Sequence, residues 1–238
     1  MSIASVIPTN PWTLLTKENI AQCDQSFFDQ YGNVAKYENM INSQFPKPKL
    51  DFSCLPDPFC GDPKCKVYCL NKNPGEPDKC FVGNASFEKA TKENLNLKQI
   101  TCFWAENIKN SCGKVHDGVM WLTKRTNELE KILGRHPDIF FVEYFPYHST
   151  YGFDFPCNLP SYIFTDALIK QAMEDRKMII IMREKRKWLK RIPYLDSYSN
   201  LFCLKSAQGG YLTLKNIVKY SYGGAGRNIN INEIKQFF

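Results

Sequence analysis

The chain has 238 residues, of which 43% are hydrophobic and 14% aromatic, and its formal net charge at pH 7 is +7. This composition supports one sizeable folded domain and excludes an intrinsically disordered chain, while the basic excess suits a polyanionic partner. No apolar run approaches the roughly 18 residues needed to span a membrane, and the N-terminus lacks the features of a secretory signal. We therefore expect a cytoplasmic protein, or a nuclear one if the host has a nucleus, without membrane contact, and we expect a monomer.

Ten cysteines are present, and five of them cluster in the first half of the chain: Cys54, Cys60, Cys65, Cys69 and Cys80. Metal sites usually contain a close Cys-x-x-Cys pair, and this sequence has none. We expect free, mostly buried thiols and neither a metal nor another cofactor, the alternative being a metal cluster held by these cysteines. A disulfide framework is not expected without a secretory signal.

The N-terminal region, residues 1–50, is predicted to be a helical extension packed on the core of an α/β domain that spans residues 51–238. Asn10-Pro11-Trp12 is typical of a helix start. An apolar stripe at helical spacing follows at Phe27, Phe28, Tyr31, Val34 and Tyr37. The proline-rich residues 45–63 are predicted to form a loop that leads into the first strand.

Four buried strands alternate with helices in the rest of the chain. The strands are predicted at residues 67–70, 139–144, 178–182 and 201–205. The helices are predicted at residues 118–133, 161–176, 183–191, 215–220 and 232–238. This alternation predicts a parallel sheet covered on both faces, which is a three-layer α/β/α fold with a central four-stranded, mainly parallel sheet. Residues 76–116 show no clear pattern.

The first predicted strand runs straight into a polar turn. Residues 65–75 read Cys-Lys-Val-Tyr-Cys-Leu-Asn-Lys-Asn-Pro-Gly, and Pro74 and Gly75 end the strand. Because α/β enzymes place their chemistry at the carboxyl ends of parallel strands, we expect Asn73 to point its side-chain amide into the crevice beyond the strand. The alternative is an asparagine that only caps its own turn.

Three segments resemble motifs of the uracil-DNA glycosylase superfamily. Residues 56–75 resemble its first motif, most closely in the single-strand-selective monofunctional branch, whose turn reads Gly-Met-Asn-Pro-Gly. Residues 141–146, Phe-Val-Glu-Tyr-Phe-Pro, resemble the family's Phe-Val-x-Asn-Tyr-Cys-Pro, and residues 223–228, Gly-Gly-Ala-Gly-Arg-Asn, stand in place of His-Pro-Ser-Pro-Arg-Asn. The resemblance implies the four-stranded fold and an enzyme that extrudes a nucleotide and hydrolyses the bond from base to sugar.

The resemblance also implies roles for individual residues. Asn73 takes the place of the water-holding asparagine, and Phe81 is the aromatic candidate for stacking on the base. Glu143, with Tyr144 beside it, stands where the family has the asparagine that reads uracil. A carboxylate accepts from the cytosine N4 amino group, and a protonated carboxyl can donate to cytosine N3. The substitution therefore favours a cytosine-type base, unless Glu143 simply pairs with a lysine or arginine.

The third segment departs from the family because its leaving-group histidine is absent. His148, in the loop after Glu143, is the substitute candidate, the alternative being a surface histidine without a role. Arg227 and Asn228 are retained and are predicted to contact DNA.

A basic helix at residues 183–191 supplies further candidate DNA contacts at Arg183, Lys185, Arg186 and Lys187. Phosphate contacts of this kind provide affinity without sequence information. The alternative is a solvated helix face.

We therefore predict a monofunctional DNA glycosylase that acts on single-stranded DNA or on a base flipped from a duplex. The specific candidate substrate is a modified, glucosylated cytosine in phage DNA, by analogy with bacterial glycosylases that attack such phages. Three alternatives stay open: a catalytically inactive DNA-binding module of the same fold, a uracil-excising repair enzyme, and an unrelated α/β hydrolase acting on nucleotides.

Overall fold

The computed structural model describes residues 7–47, 49–150, 154–221 and 226–238. Its strands are β1 (Phe59–Cys60), β2 (Val67–Leu70), β3 (Ile139–Val142), β4 (Met178–Ile181), β5 (Leu201–Leu204) and β6 (Ile217–Lys219). They form one mixed sheet in the order β1-β3-β2-β4-β5-β6. The four middle strands are parallel, and the two edge strands pair antiparallel with their neighbours. The fold is mixed α/β, with six strands in the described residues rather than the predicted four.

The four strands predicted from apolar runs are confirmed, and their ends differ from the prediction by at most two residues. The sequence pattern predicts neither edge strand. β1 lies inside the predicted loop at 45–63, and β6 shows that the helix predicted at 215–220 is wrong. Two or three residues are too few to display an alternating pattern, so pairing with the neighbouring strand decides their conformation.

The helices begin and end close to the predicted positions in the C-terminal half of the chain. The α-helices are α1 (Gln25–Asp29), α2 (Val34–Asn42), α3 (Ala85–Leu95), α4 (Asp117–Leu133), α5 (Tyr162–Glu174), α6 (Lys185–Arg191) and α7 (Ile231–Phe237). Short 3-10 helices span Pro11–Thr13, Gln22–Asp24, Lys79–Phe81 and Pro193–Ser197. α3 lies in the stretch without a clear pattern, and Asn84 begins it by accepting a hydrogen bond from Phe87 N.

The predicted N-terminal stripe is divided between two helices. Gly32, at φ 94°, separates α1 from α2, and the Asn33 side chain then caps α2 by accepting from Lys36 N at 2.8 Å. Trp12 and Phe28 are buried in the same apolar cluster as Tyr68 of the sheet. The N-terminal residues thus contribute directly to the core that supports the strands.

Apolar side chains of β2 alternate between two hydrophobic clusters. Tyr68 and Leu70 belong to the cluster that includes residues of α1, α2 and α5. Val67 and Cys69 belong to the cluster that includes residues of α4 and α7. This is the alternation expected of a strand whose successive side chains point to opposite faces of a sheet.

The thiols are less buried than the composition predicted. All ten cysteines are free, but only Cys69 and Cys102 are fully buried, and four are exposed. Within the described ranges, no group of three or more His, Cys, Asp or Glu side chains is placed to hold a metal ion. The same part of the chain has no helix long and apolar enough to cross a membrane.

Candidate active site

A cavity of about 760 Å³ lies at the carboxyl ends of the middle strands. β3 lies on one side of β2 and β4 on the other. Ligands of open α/β sheets bind at such a point, where successive strands are added to opposite sides of the sheet. Asn71 and Asn73 follow β2, Glu143 follows β3 and Arg183 follows β4, and all four line the cavity. The order of the strands therefore brings together residues that are far apart in the sequence.

Asn71 and Glu143 form a hydrogen-bonded pair in the cavity wall. The Asn71 amide nitrogen donates to Glu143 Oε1 at 3.0 Å, and Trp188 Nε1 of α6 fixes the Asn71 backbone by donating to its carbonyl at 2.8 Å. Asn71 Oδ1 and Glu143 Oε2 are both buried without a hydrogen-bond partner. Burial raises the pKa of Glu143 to about 8, although the hydrogen bond from Asn71 acts to lower it. The carboxyl is therefore mainly protonated at neutral pH.

Asp57 places a second carboxyl beside this pair. Backbone bonds from Asp57 N to Pro146 O at 2.9 Å and from Glu143 N to Pro58 O at 2.9 Å hold the two segments together. Asp57 Oδ1 is buried without a partner, and burial raises the pKa of Asp57 to about 7. Its charge is a further cause of the raised pKa of Glu143.

Asn73 is oriented by the loop that follows β3. Its amide nitrogen donates to the carbonyl of Ser149 at 2.5 Å and contacts Ser149 Oγ at 3.0 Å. A carbonyl oxygen only accepts, so the nitrogen must face Ser149, and Asn73 Oδ1 is left as the acceptor. Asn73 is therefore bound to a distant loop rather than capping its own turn.

An aromatic wall, formed by Phe81, Phe87, Trp104 and His116, lines another part of the cavity. Phe87 stacks on His116 with ring centroids 4.5 Å apart, and Phe81 meets the same imidazole edge-on at 5.0 Å. Burial lowers the pKa of His116, and His116 Nδ1 accepts from Gly118 N at 3.0 Å. The neutral ring therefore carries its proton on Nε2.

His148 lines the cavity, but backbone carbonyls surround its ring. Nδ1 lies 3.3 Å from Gly75 O, and Nε2 lies 3.1 Å from Leu55 O. Burial lowers the pKa of His148, and a neutral imidazole donates from only one nitrogen. The geometry gives His148 a clear part in holding the turn after β2 against the 53–57 segment.

Tyr144 is not brought to the cavity with the other predicted site residues. Its ring is 3% exposed and packs against Trp188 at 5.2 Å and Tyr162 at 5.8 Å. The next residue after Glu143 points to the opposite side of the backbone, so a residue predicted beside Glu143 in sequence is directed into the core.

The basic helix presents its charges unequally. Of the predicted contacts, only Arg183 lines the cavity. Lys185 and Arg186 are exposed, whereas Lys187 forms an ion pair with Asp154. Lys185 and Arg186 on the first turn of α6 are thus the exposed members of the predicted set, and Lys190 further along the helix is exposed as well.

Arg227 and Asn228 lie away from the cavity, beside the edge strand β6. Arg227 forms two bonds to the Glu233 carboxylate, at 2.6 and 2.7 Å. The Asn228 amide nitrogen donates to two backbone carbonyls, and its Oδ1 accepts from Lys205 at 2.7 Å. Both side chains are used within the protein, and β5 and β6 separate them from β4. Gly223, Gly224 and Ala225 lie outside the described residues.

Asn71 and Asp57 are site residues that sequence reasoning missed. Asn71 is the first polar residue after a buried strand, and that position was a usable signal. Asp57 lies in a proline-rich loop, where no local pattern distinguishes it from an ordinary turn residue. No family model, no curated protein and no solved structure matches the chain.

Proposed function

We propose that this protein is a monofunctional DNA glycosylase with the three-layer architecture of the uracil-DNA glycosylase superfamily. The observation that carries the proposal is the convergence of Asn73, the Asn71–Glu143 pair and an aromatic wall in one cavity. These groups supply a water-positioning acceptor, a polar edge to read a base and a face on which to stack it. The partner in this proposal is DNA, and the compartment is the cytoplasm.

The polar edge favours a cytosine-type base. With Glu143 protonated and Oε1 accepting from Asn71, Oε2 would serve as a donor and Asn71 Oδ1 as an acceptor for a base in the cavity. Cytosine presents the complementary pair, the N3 acceptor next to the N4 amino donor, whereas uracil presents donor and acceptor in the reverse order. The unpartnered oxygen of Asp57 favours an amino group further, since that group carries a second hydrogen.

Hydrolysis would proceed without a covalent enzyme intermediate. The bond from base N1 to sugar C1′ breaks, and both electrons go to the base. Glu143 Oε2–H stabilises the departing anion by donating to N3. The alternative donors for this role are His148, which the sequence predicts, and His116 in the aromatic wall. Water held by Asn73 Oδ1 then bonds to C1′, and its released proton neutralises the base. A neutral amide suffices because an electron-deficient sugar needs little help to capture water.

The size of the cavity agrees with a bulky substrate. At about 760 Å³ it falls in the upper half of the range of roughly 300–1,000 Å³ found for small-molecule sites. A bare pyrimidine would leave much of this space unfilled, whereas a base that carries a sugar would occupy more of it. We therefore retain glucosylated hydroxymethylcytosine as the specific candidate.

The test is base release from matched oligonucleotides, single-stranded and duplex, that contain uracil, cytosine, hydroxymethylcytosine or glucosylated hydroxymethylcytosine. Alkali cleavage reveals the abasic sites. We expect release of a cytosine derivative by the wild type and a loss of that activity in Glu143→Leu, which keeps a similar volume but has neither a donor for base N3 nor an acceptor for Asn71. Release of uracil alone would refute the cytosine assignment. No release of any base would refute the enzyme and favour a DNA-binding module, which the missing family histidine also favours.

A further inference from the structure

Arg125 of α4 is held beside the cavity by aromatic rings. Its guanidinium carbon lies 5.1 Å from the ring centroid of Trp121 and 4.8 Å from that of Tyr211. Trp121 is itself part of the cavity wall. Stacking of this kind orients the planar cation without using its N–H groups, which stay available to an acceptor.

Arg183 contacts the turn at residues 208–211, which also carries Tyr211. Its Nη2 donates to Gln208 O at 3.2 Å, and a methyl group placed on Gly210 would lie 3.4 Å from Arg125 Nε. Gly209 allows the Tyr211 ring to fold back, because a side chain there would meet that ring at 2.5 Å. The turn at 208–211 therefore packs against both guanidinium groups at the edge of the cavity.

Neither arginine has a carboxylate partner among the described residues. The Nε atoms of Arg125 and Arg183 are both buried without an acceptor. Buried donors are normally satisfied, and two like charges held near one turn repel each other. An anion bound by the two guanidinium groups would offset the repulsion between their charges.

We propose that Arg125 and Arg183 form a phosphate-binding site at the rim of the cavity. Its ligand would be a backbone phosphate of the nucleic acid strand whose base enters the cavity, and this assignment rests on the proposed function. Guanidinium groups match phosphate oxygens in geometry as well as in charge. The site would hold the sugar–phosphate backbone in register while the base is read by the Asn71–Glu143 pair.

The test compares Arg125→Gln and Arg183→Gln with Lys124→Gln, which removes one charge from an exposed neighbour on the same helix. The affinity for a fluorescent single-stranded oligonucleotide is measured by anisotropy over a range of salt concentrations. We expect each arginine variant to reduce the slope of log affinity against log salt by about 0.7 and Lys124→Gln to leave it unchanged. Wild-type slopes in both arginine variants, or an equal loss in the lysine control, would overturn the proposal.

Inorganic phosphate at constant ionic strength distinguishes the source of the ligand. It should weaken oligonucleotide binding by the wild type and have less effect on Arg125→Gln. If phosphate raises the melting temperature while neither arginine variant affects oligonucleotide binding, the site serves free phosphate and the nucleic acid assignment is wrong. Base release by the wild type is measured in parallel, so failure of the glycosylase proposal is seen separately from failure of this site.

Discussion

Glu143 connects the proposed recognition of a base with the stability of the protein, because its carboxyl is placed where ionisation is unfavourable. Burial raises its pKa from 4.5 to about 8. Between these two values the folded protein keeps a proton that the unfolded chain has released. The free energy of unfolding therefore falls as the pH rises through this range.

Glu143→Gln should remove this dependence while keeping the acceptor for Asn71. We expect the variant to gain stability over the wild type as the pH rises from about 4.5 to 8, by at most about 1.4 kcal/mol per pH unit. Urea unfolding at several pH values measures the difference. Glu76→Gln, at an exposed position on the same edge of the cavity, controls for the loss of one charge. If the difference in the free energy of unfolding between Glu143→Gln and the wild type does not depend on pH, the burial argument is wrong.

Asn73→Ala tests the proposed position of the attacking water. Because the asparagine is bound to a loop rather than to the core, we expect base release to fall roughly 100-fold while DNA affinity and the free energy of unfolding stay close to wild type. Ser149→Ala is the graded control, since it keeps the carbonyl that binds the Asn73 amide and should reduce activity only slightly. Full activity of Asn73→Ala on every substrate would exclude the role.

At the scale of the element, α6 has one side committed to the fold and one side open. Trp188 is buried and bonded to the end of β2. Arg191 is held by Asp166 at 2.6 Å and by Thr165 Oγ1 at 2.8 Å. Lys185 and Arg186 extend from the first turn, beside the cavity residue Arg183. Some basic residues of this helix, such as Arg191, therefore stabilise the fold and are not available to bind DNA.

Neutralising Lys185 and Arg186 together should weaken DNA binding and reduce the salt slope by about 1.4, or about 0.7 for each phosphate contact on a single strand. Lys187→Gln should have a smaller effect because Asp154 already holds that lysine. The double variant of Lys17 and Lys36, exposed in the N-terminal region, is the matched control. An unchanged slope in the α6 variant would show that this helix face is only solvated.

At the scale of the whole molecule, one buried carboxyl group adds hydrogen bonds to the apolar packing that joins the N-terminal region to the rest of the protein. Asp24 accepts from Tyr147 Oη at 2.6 Å and from both the backbone nitrogen and the hydroxyl of Ser161 at 2.7 Å. Tyr147 follows β3 and Ser161 precedes α5. The residue therefore ties three distant segments together, and the Ser161 hydroxyl serves this link rather than a helix cap.

Asp24→Ala should lower the free energy of unfolding by about 3 kcal/mol or more, since it leaves several buried donors without an acceptor. The measurement is urea or thermal unfolding. Asp29→Ala, at an exposed carboxylate on α1, should change stability little. Equal stability of the two variants would show that the N-terminal region is not needed to hold the loop after β3.

Local patterns determined much of the architecture. The apolar runs of β2 to β5 predict buried strands because such strands have no solvent face, and the Asn-Lys-Asn-Pro-Gly turn predicts where the first of them ends. Asn73 and Arg183, predicted from the ends of strands, line the cavity, and so do Glu143, Phe81 and His148, which the resemblance to the glycosylase superfamily implies.

Only the tertiary structure decided which of those residues meet and in which direction they point. Asn71 pairs with a glutamate 72 positions away, Tyr144 turns into the core beside it, and Arg227 and Asn228 bind within the protein at the far edge of the sheet. β1 and β6 likewise exist because a neighbouring strand supplies their hydrogen bonds. A local pattern records how one segment divides its polar and apolar sides. It does not record which distant segment will cover them, and that choice sets the pKa of Glu143 and the free donors of Arg125.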